Sequence, residues 1–114
     1  MRAALIVALC LFVPGVQAGE RFVPGFEALP LMAGLEIEPG SAMVFDKPGG
    51  RIVEAAATGT VSAARIGQWY AETLPQLGWR PEGKSLFRRE GEMLSLAVTR
   101  EGTGARVAFR LYPR

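Results

Sequence analysis

Apolar and polar residues alternate along the last third of the chain. Leu94, Leu96 and Val98 interleave with Ser95, Ala97 and Thr99, and Val107, Phe109 and Leu111 interleave with Arg106, Ala108 and Arg110. A period of two places each set on one face of a strand, so 92–100 and 105–112 are predicted strands, with Gly91 and the run Glu101-Gly102-Thr103-Gly104 as turns. A third strand, 86–90, is reached by a connection that begins at Trp79 and Arg80. Upstream the period changes: between Ser62 and Leu77, the residues Ile66, Trp69, Tyr70, Leu74 and Leu77 fall on one helical stripe. Ser62 suits the N-cap, and Val61 before it can meet Ile66 as a hydrophobic staple. Pro75 lacks an amide proton, so the helix is expected to kink or end near Thr73, with Gly78 as the left-handed terminator.

Before the helix, 42–46 and 51–58 read as a hairpin around Lys47-Pro48-Gly49-Gly50, with a loop longer than two residues. Its second strand is rich in alanine, a weak strand former, so pairing with neighbours must sustain it. Residues 19–40 carry Pro24, Pro30 and Pro39 among several glycines and read as an extended lead-in. Its Leu29-Pro30-Leu31-Met32 is apolar enough to pack along the domain. The expected fold is α+β: a small antiparallel sheet with one helix packed across one face, in the order β-β-α-β-β-β. Leu94, Leu96, Val98, Val107, Phe109 and Leu111 are expected to face the helix, with Trp69 and Trp79 at the seam. The implied organisation is a removable segment at 1–18, the lead-in at 19–40 and a single domain at 41–114.

Three stretches carry a resemblance: Phe26 to Met32, Gly50-Arg51-Ile52-Val53-Glu54, and Trp69 to Trp79 with its Tyr70, Leu74 and Gly78-Trp79. On these the chain resembles small exported proteins of proteobacterial type, which share an aromatic-x-x-x-Leu-x-x-x-Gly-Trp helix exit followed by a three-stranded meander. The resemblance implies a fold and carries over no functional residue.

The N-terminus changes the chemical picture. Arg2, an apolar stretch from Ala3 to Val13 and the small-residue site Val16-Gln17-Ala18 have the order of an export signal. The apolar stretch is well short of the roughly 20 residues that span a bilayer, and Pro14-Gly15 interrupts it. Removal after Ala18 predicts an exported, periplasmic protein with no transmembrane segment. Cys10 is the single cysteine and the chain has no histidine, so the exported part has no disulfide, thiol nucleophile or histidine base. No cofactor or metal motif is found. Residues 19–60 hold three basic and six acidic side chains, against nine and five in 61–114, which makes the C-terminal half the more basic surface. Arg88-Arg89 is the sole basic doublet there, and nucleic acid is not an expected partner.

Catalytic readings are thin. Ser41, Ser62, Ser85 and Ser95 have no base beyond Lys47 or Lys84, and no catalytic residue is assigned. Glu36 with Glu38, or Glu90 with Glu92, are the candidate carboxylate pairs, but they lie in the lead-in and at a turn, where solvated charges are ordinary. Glu101 to Arg106 lacks the Lys-Ser/Thr pair of a phosphate loop. The feature that stands out is the sheet face opposite the helix, where Ser95, Thr99, Arg106, Arg110 and Tyr112 form a candidate interaction face. The leading expectation is a non-catalytic accessory protein that meets an envelope protein through this face or through a mobile 19–40 segment. A module binding a small anionic ligand or lipid is the rival, and a Ser- or carboxylate-dependent enzyme is a distant third.

Overall fold

The computed structural model describes residues 21–26 and 28–114. The expected export signal at Met1 to Ala18, Cys10 included, lies outside the described residues. Among those described, no helix is long and apolar enough to cross a membrane.

The alternating segments form the centre of a mostly antiparallel sheet. Three two-residue strands come first, β1 (Arg21–Phe22), β2 (Pro30–Leu31) and β3 (Glu36–Ile37). They are followed by β4 (Met43–Lys47) and β5 (Gly50–Gly59), the helix α1 (Ala63–Thr73), then β6 (Arg80–Gly83), β7 (Leu86–Arg89), β8 (Glu92–Glu101) and β9 (Gly104–Pro113). The main sheet runs β3-β5-β9-β8-β7-β6, with β4 also paired to β5, while β1 and β2 form a separate two-stranded ribbon. The protein is thus α+β and strand-rich.

The strand content differs from the pattern-based expectation at two hairpins. Arg80–Gly83 is a strand in its own right, so four strands follow the helix. Proline rarely enters a central strand, but Pro81 lies on the sheet edge and beside a register shift, where a missing amide is tolerated. The first hairpin is also tighter than expected: Lys47 pairs with Gly50, leaving only Pro48-Gly49 as the loop. At the next turn Glu90 and Gly91 both have positive φ, 50° and 84°, the type I′ pattern whose twist matches the flanking strands.

The helix follows its sequence signals closely. The Ser62 side chain accepts from the Arg65 amide at 3.1 Å, and α1 gives way to a 3-10 turn over Leu74–Leu77 that ends at left-handed Gly78. Its buried side is Ile66, Tyr70 and Leu74. Trp69 is only half-buried and Leu77 is exposed, so the stripe is narrower than its periodicity suggests. Of the six strand residues expected beneath it, all are buried except Val98, which is partly so.

One helix is too small to cover this face, and the lead-in completes the cover. Val23, Phe26, Leu29, Leu31, Met32 and Leu35 are all buried in the same core as Phe109 and Leu94. Phe26 and Tyr70 both meet the Phe109 ring edge-on, at centroid distances of 6.4 and 5.6 Å. Two aromatic side chains tie the lead-in backbone down. The Tyr70 hydroxyl donates to the Pro30 carbonyl at 2.7 Å and accepts from the Met32 amide at 3.2 Å, while Trp79 Nε1 donates to the Ala28 carbonyl at 3.2 Å. Burial pushes the Tyr70 phenol up to about 12, because the charged form would lose its hydration. The expectation that this segment is mobile therefore gives way: its large apolar side chains from Val23 to Leu35 are packed into the core, while Phe22, Pro24, Gly34 and Pro39 stay at the surface.

Gly34, Gly59 and Gly104 bring three backbones into contact. A Cβ on Gly104 would overlap the Gly59 carbonyl, and one on Gly59 would overlap that of Gly34. Only glycine allows so close an approach.

Candidate functional site

The face away from α1 is built by the other half of the strand alternation. Strand β9 contributes Arg106, Ala108, Arg110 and Tyr112; β8 contributes Met93, Ser95, Ala97 and Thr99; β5 contributes Ile52, Glu54, Ala56 and Thr58; and β4 contributes Met43 and Phe45. Cross-strand register brings the expected residues together. Ser95 lies directly opposite Arg110, Thr99 opposite Arg106, and Tyr112 opposite Met93.

Both arginines are already engaged. Arg106 Nε donates to Glu38 at 2.6 Å and its Nη2 to the second carboxylate oxygen at 3.2 Å, a bidentate pair. That hydrogen bond holds the Glu38 carboxyl below its ordinary value and raises the Arg106 guanidinium. Arg110 Nε donates to Glu54, its direct neighbour across β5 and β9, at 3.1 Å, and the Arg110 guanidinium sits 5.1 Å from the centre of the Tyr112 ring. The cationic face expected from β9 alone is thus compensated by carboxylates from the lead-in and β5. Sequence spacing hid this, since Glu38 and Arg106 are 68 positions apart.

Between the two ion pairs lies an open concavity of about 520 Å³, floored by Ala56 and Ala108 and walled by Ser41, Met43, Glu38 and Arg110. Ser41 is held structurally: its hydroxyl donates its one proton to the Glu38 carbonyl at 2.8 Å, with the Ala56 carbonyl at 3.2 Å, and accepts from the Ala56 amide. Toward the other end of the sheet the same face turns apolar. Phe45 opposes Ile52 and Met93 opposes Tyr112. Ile52 and Tyr112 come immediately beyond the last β5–β9 pair, Val53 with Leu111, so the four residues span β4, β5, β9 and β8 as one band. Sequence reading missed this band, because Phe45 and Ile52 belong to a hairpin whose place in the sheet is set by β9.

The remaining candidates separate. Ser62 caps the helix, Ser85 sits in a turn with φ of 58°, and Ser95 faces Arg110. Glu36 pairs with Arg21, Glu38 with Arg106 and Glu92 with Arg51, and Glu90 occupies the type I′ turn. Arg88 bonds Glu82 at 2.7 Å, whereas Arg89 lies over Trp79 at 5.6 Å, so the basic doublet is split between the two faces. A second concavity of about 410 Å³, between β1, β2 and the helix exit, is apolar and lined by Phe22, Leu31, Trp69 and Leu77.

No protein-family model, no curated protein and no solved structure matches the chain, so the reading of this face rests on its own geometry.

Proposed function

We propose that the protein is a non-catalytic, exported accessory protein of the periplasm that engages an envelope protein through the face of the sheet opposite its helix. The observation that carries this reading is the four-strand apolar band Phe45, Ile52, Tyr112 and Met93, set beside arginines whose charge is compensated. An apolar centre bordered by hydrogen-bonded polar groups suits a protein surface better than a small anion, which needs unspent cationic donors. The export signal at Met1 to Ala18 supplies the compartment, and the absence of histidine from the chain supports a non-catalytic role.

The test is a photo-crosslinking residue placed at Met93 or Tyr112 in the exporting cell, with Gln68 on the exposed side of α1 as the control position. A discrete adduct from the sheet positions that is lost on Phe45→Asp is the expected result. Equal labelling from Gln68, or none from Met93 and Tyr112, removes the reading. The rival, a small anionic ligand or lipid headgroup in the 520 Å³ concavity, gains if such compounds raise the melting temperature in a saturable way that Arg106→Gln abolishes.

A further inference from the structure

The sheet ends in two unlike edges. At one, β6 is four residues long, contains Pro81, breaks register between Pro81 and Gly83, and ties Glu82 to Arg88. These devices are the ones that stop a sheet edge from recruiting another strand. At the other, the flank of β5 is shared by the two-residue β3 and by β4, and β4 has Met43, Val44 and Phe45 at 45%, 55% and 43% exposure, with no proline and no bulge in its pairing to β5.

The hydrogen-bond parity of β4 follows from its neighbour. The Ala56 amide and carbonyl meet Ser41, and the Glu38 amide meets the Ala56 carbonyl, so the even-numbered residues of β5 point their backbone groups toward β4. Their partners Met43, Phe45 and Lys47 therefore bond inward. Val44 and Asp46 point their amides and carbonyls away from the sheet, and Ala42 continues that parity. Among the described residues, no backbone hydrogen bond reaches this outer side of β4.

We propose that β4 is a self-association edge, on which a second copy of this chain pairs antiparallel about a two-fold axis at Val44. The three outward residues are symmetric about Val44. In this register Val44 bonds Val44 of the second copy, and Ala42 and Asp46 bond each other reciprocally, so every free backbone group of the edge is used. Met43 and Phe45 of opposite copies then face each other at the closer, non-hydrogen-bonded positions, which joins the two apolar bands into one. Side-chain charge selects the same register: centring on Asp46 would set two carboxylates directly opposite, whereas centring on Val44 sets Asp46 against Ala42 and Lys47 against Ser41. The closed β6 edge stops the process at two copies, because a head-to-tail β4–β6 contact, the route to a filament, meets Pro81 and the bulge. Edge pairing is small as interfaces go, so the dimer is concentration-dependent. It rests on backbone groups at the rim rather than on the outer face, and the two proposals fail separately.

The absence of any cysteine beyond Cys10 makes the register testable. In a Cys10→Ser background, Val44→Cys puts two thiols across the axis at the roughly 5.5 Å Cα spacing of a bonded pair, within disulfide range. Asp46→Cys puts them four strand positions apart, roughly 13 Å, and out of range. Under mild oxidation Val44→Cys is expected to give a covalent dimer at least about tenfold faster than Asp46→Cys. In sedimentation equilibrium up to about 1 mM, the parent should show a monomer–dimer equilibrium that Val44→Lys shifts to monomer, through two like charges at the axis, without change in the melting temperature of the dilute monomer. A parent that stays monomeric over that range overturns the proposal. So does equal cross-linking from the two positions, or a dimer indifferent to Val44→Lys.

Discussion

Phe109 and Arg110 are consecutive residues of β9, yet they live in different solvents. Phe109 is buried against Phe26 and Tyr70, while Arg110 lies in water beside Glu54 and Tyr112. The same contrast runs along β9 and through Leu94 and Leu96 of β8, since each strand lends alternate side chains to a packed face and to an open one. What separates the faces is the cover. The inner face holds a helix and an irregular lead-in fixed by aromatic hydrogen bonds, whereas the outer face has no packed layer over it, only side-chain pairs and the short Glu38–Ser41 turn at one rim. Stability should therefore reside on the inner face, leaving the outer one free to change with its partner.

Phe109→Ala against Arg110→Ala is the sharpest way to break that comparison. Removing the buried ring should cost about 3 to 5 kcal/mol, whereas Arg110→Ala, which loses an exposed pair, should stay within about 1 kcal/mol. Comparable midpoint shifts in urea unfolding would show that the two faces carry similar weight.

Alkaline pH probes the inner cover next. The Tyr70 phenol ionises near 10 when unfolded and at about 12 in the fold, so above pH 10 the unfolded chain sheds a proton that the folded one retains. The stability owed to neutral Tyr70 is complete below pH 10 and is lost as pH rises through 12. The loss is of the order of 2 to 3 kcal/mol. Tyr70→Phe should flatten that part of the stability–pH profile, and a profile unchanged in the variant would relieve Tyr70 of this role.

Trp69→Ala should cost less, about 1 to 2 kcal/mol, because its ring is half-buried at the rim of the core. A loss equal to that of Phe109→Ala would mean that the helix edge, too, belongs to the packed face. The smallest effect is expected at Glu38. Its carboxyl is lowered by the Arg106 hydrogen bond, so the contribution of this pair is present above the ordinary carboxylate value and fades as pH falls through the folded one. Glu38→Gln should leave the neutral-pH melting temperature nearly unchanged and slightly flatten the acid limb. A large drop at neutral pH would place Glu38 in the stabilising frame.

Periodicity made the helix and the last two strands legible, because each of these elements has one apolar side and one polar side. Ser62, Pro75 and Gly78 marked the helix ends through chemistry that acts within a few residues. What stayed hidden was long-range. Strand β6 was obscured by Pro81, whose cost depends on whether the strand is central or at an edge. The neutralisation of Arg106 and Arg110 needed the β5–β9 register and the path of the lead-in, neither of which leaves a local trace. Trp69 and Tyr70 share a stripe in sequence, and only packing decides which of them faces the core.

The pairing of β5 with β9 has a consequence in time. Val53 to Gly59 find their central partners at Ala105 to Leu111, so the centre of the sheet cannot close until β9 has been delivered. The lead-in waits for the same event, since Phe109 lies under Phe26 and follows it far along the chain. A chain delivered N-terminus first would carry its apolar lead-in uncovered, and its alanine-rich strand paired on one side alone, until β9 emerges. Folding rates fall as contacts become more distant in sequence, so closure of β5 on β9 should limit the rate. Until then the hairpin of β4 and β5 has two open edges, and the interval before β9 docks is when this chain is most exposed to capture by a chaperone or by another copy of itself.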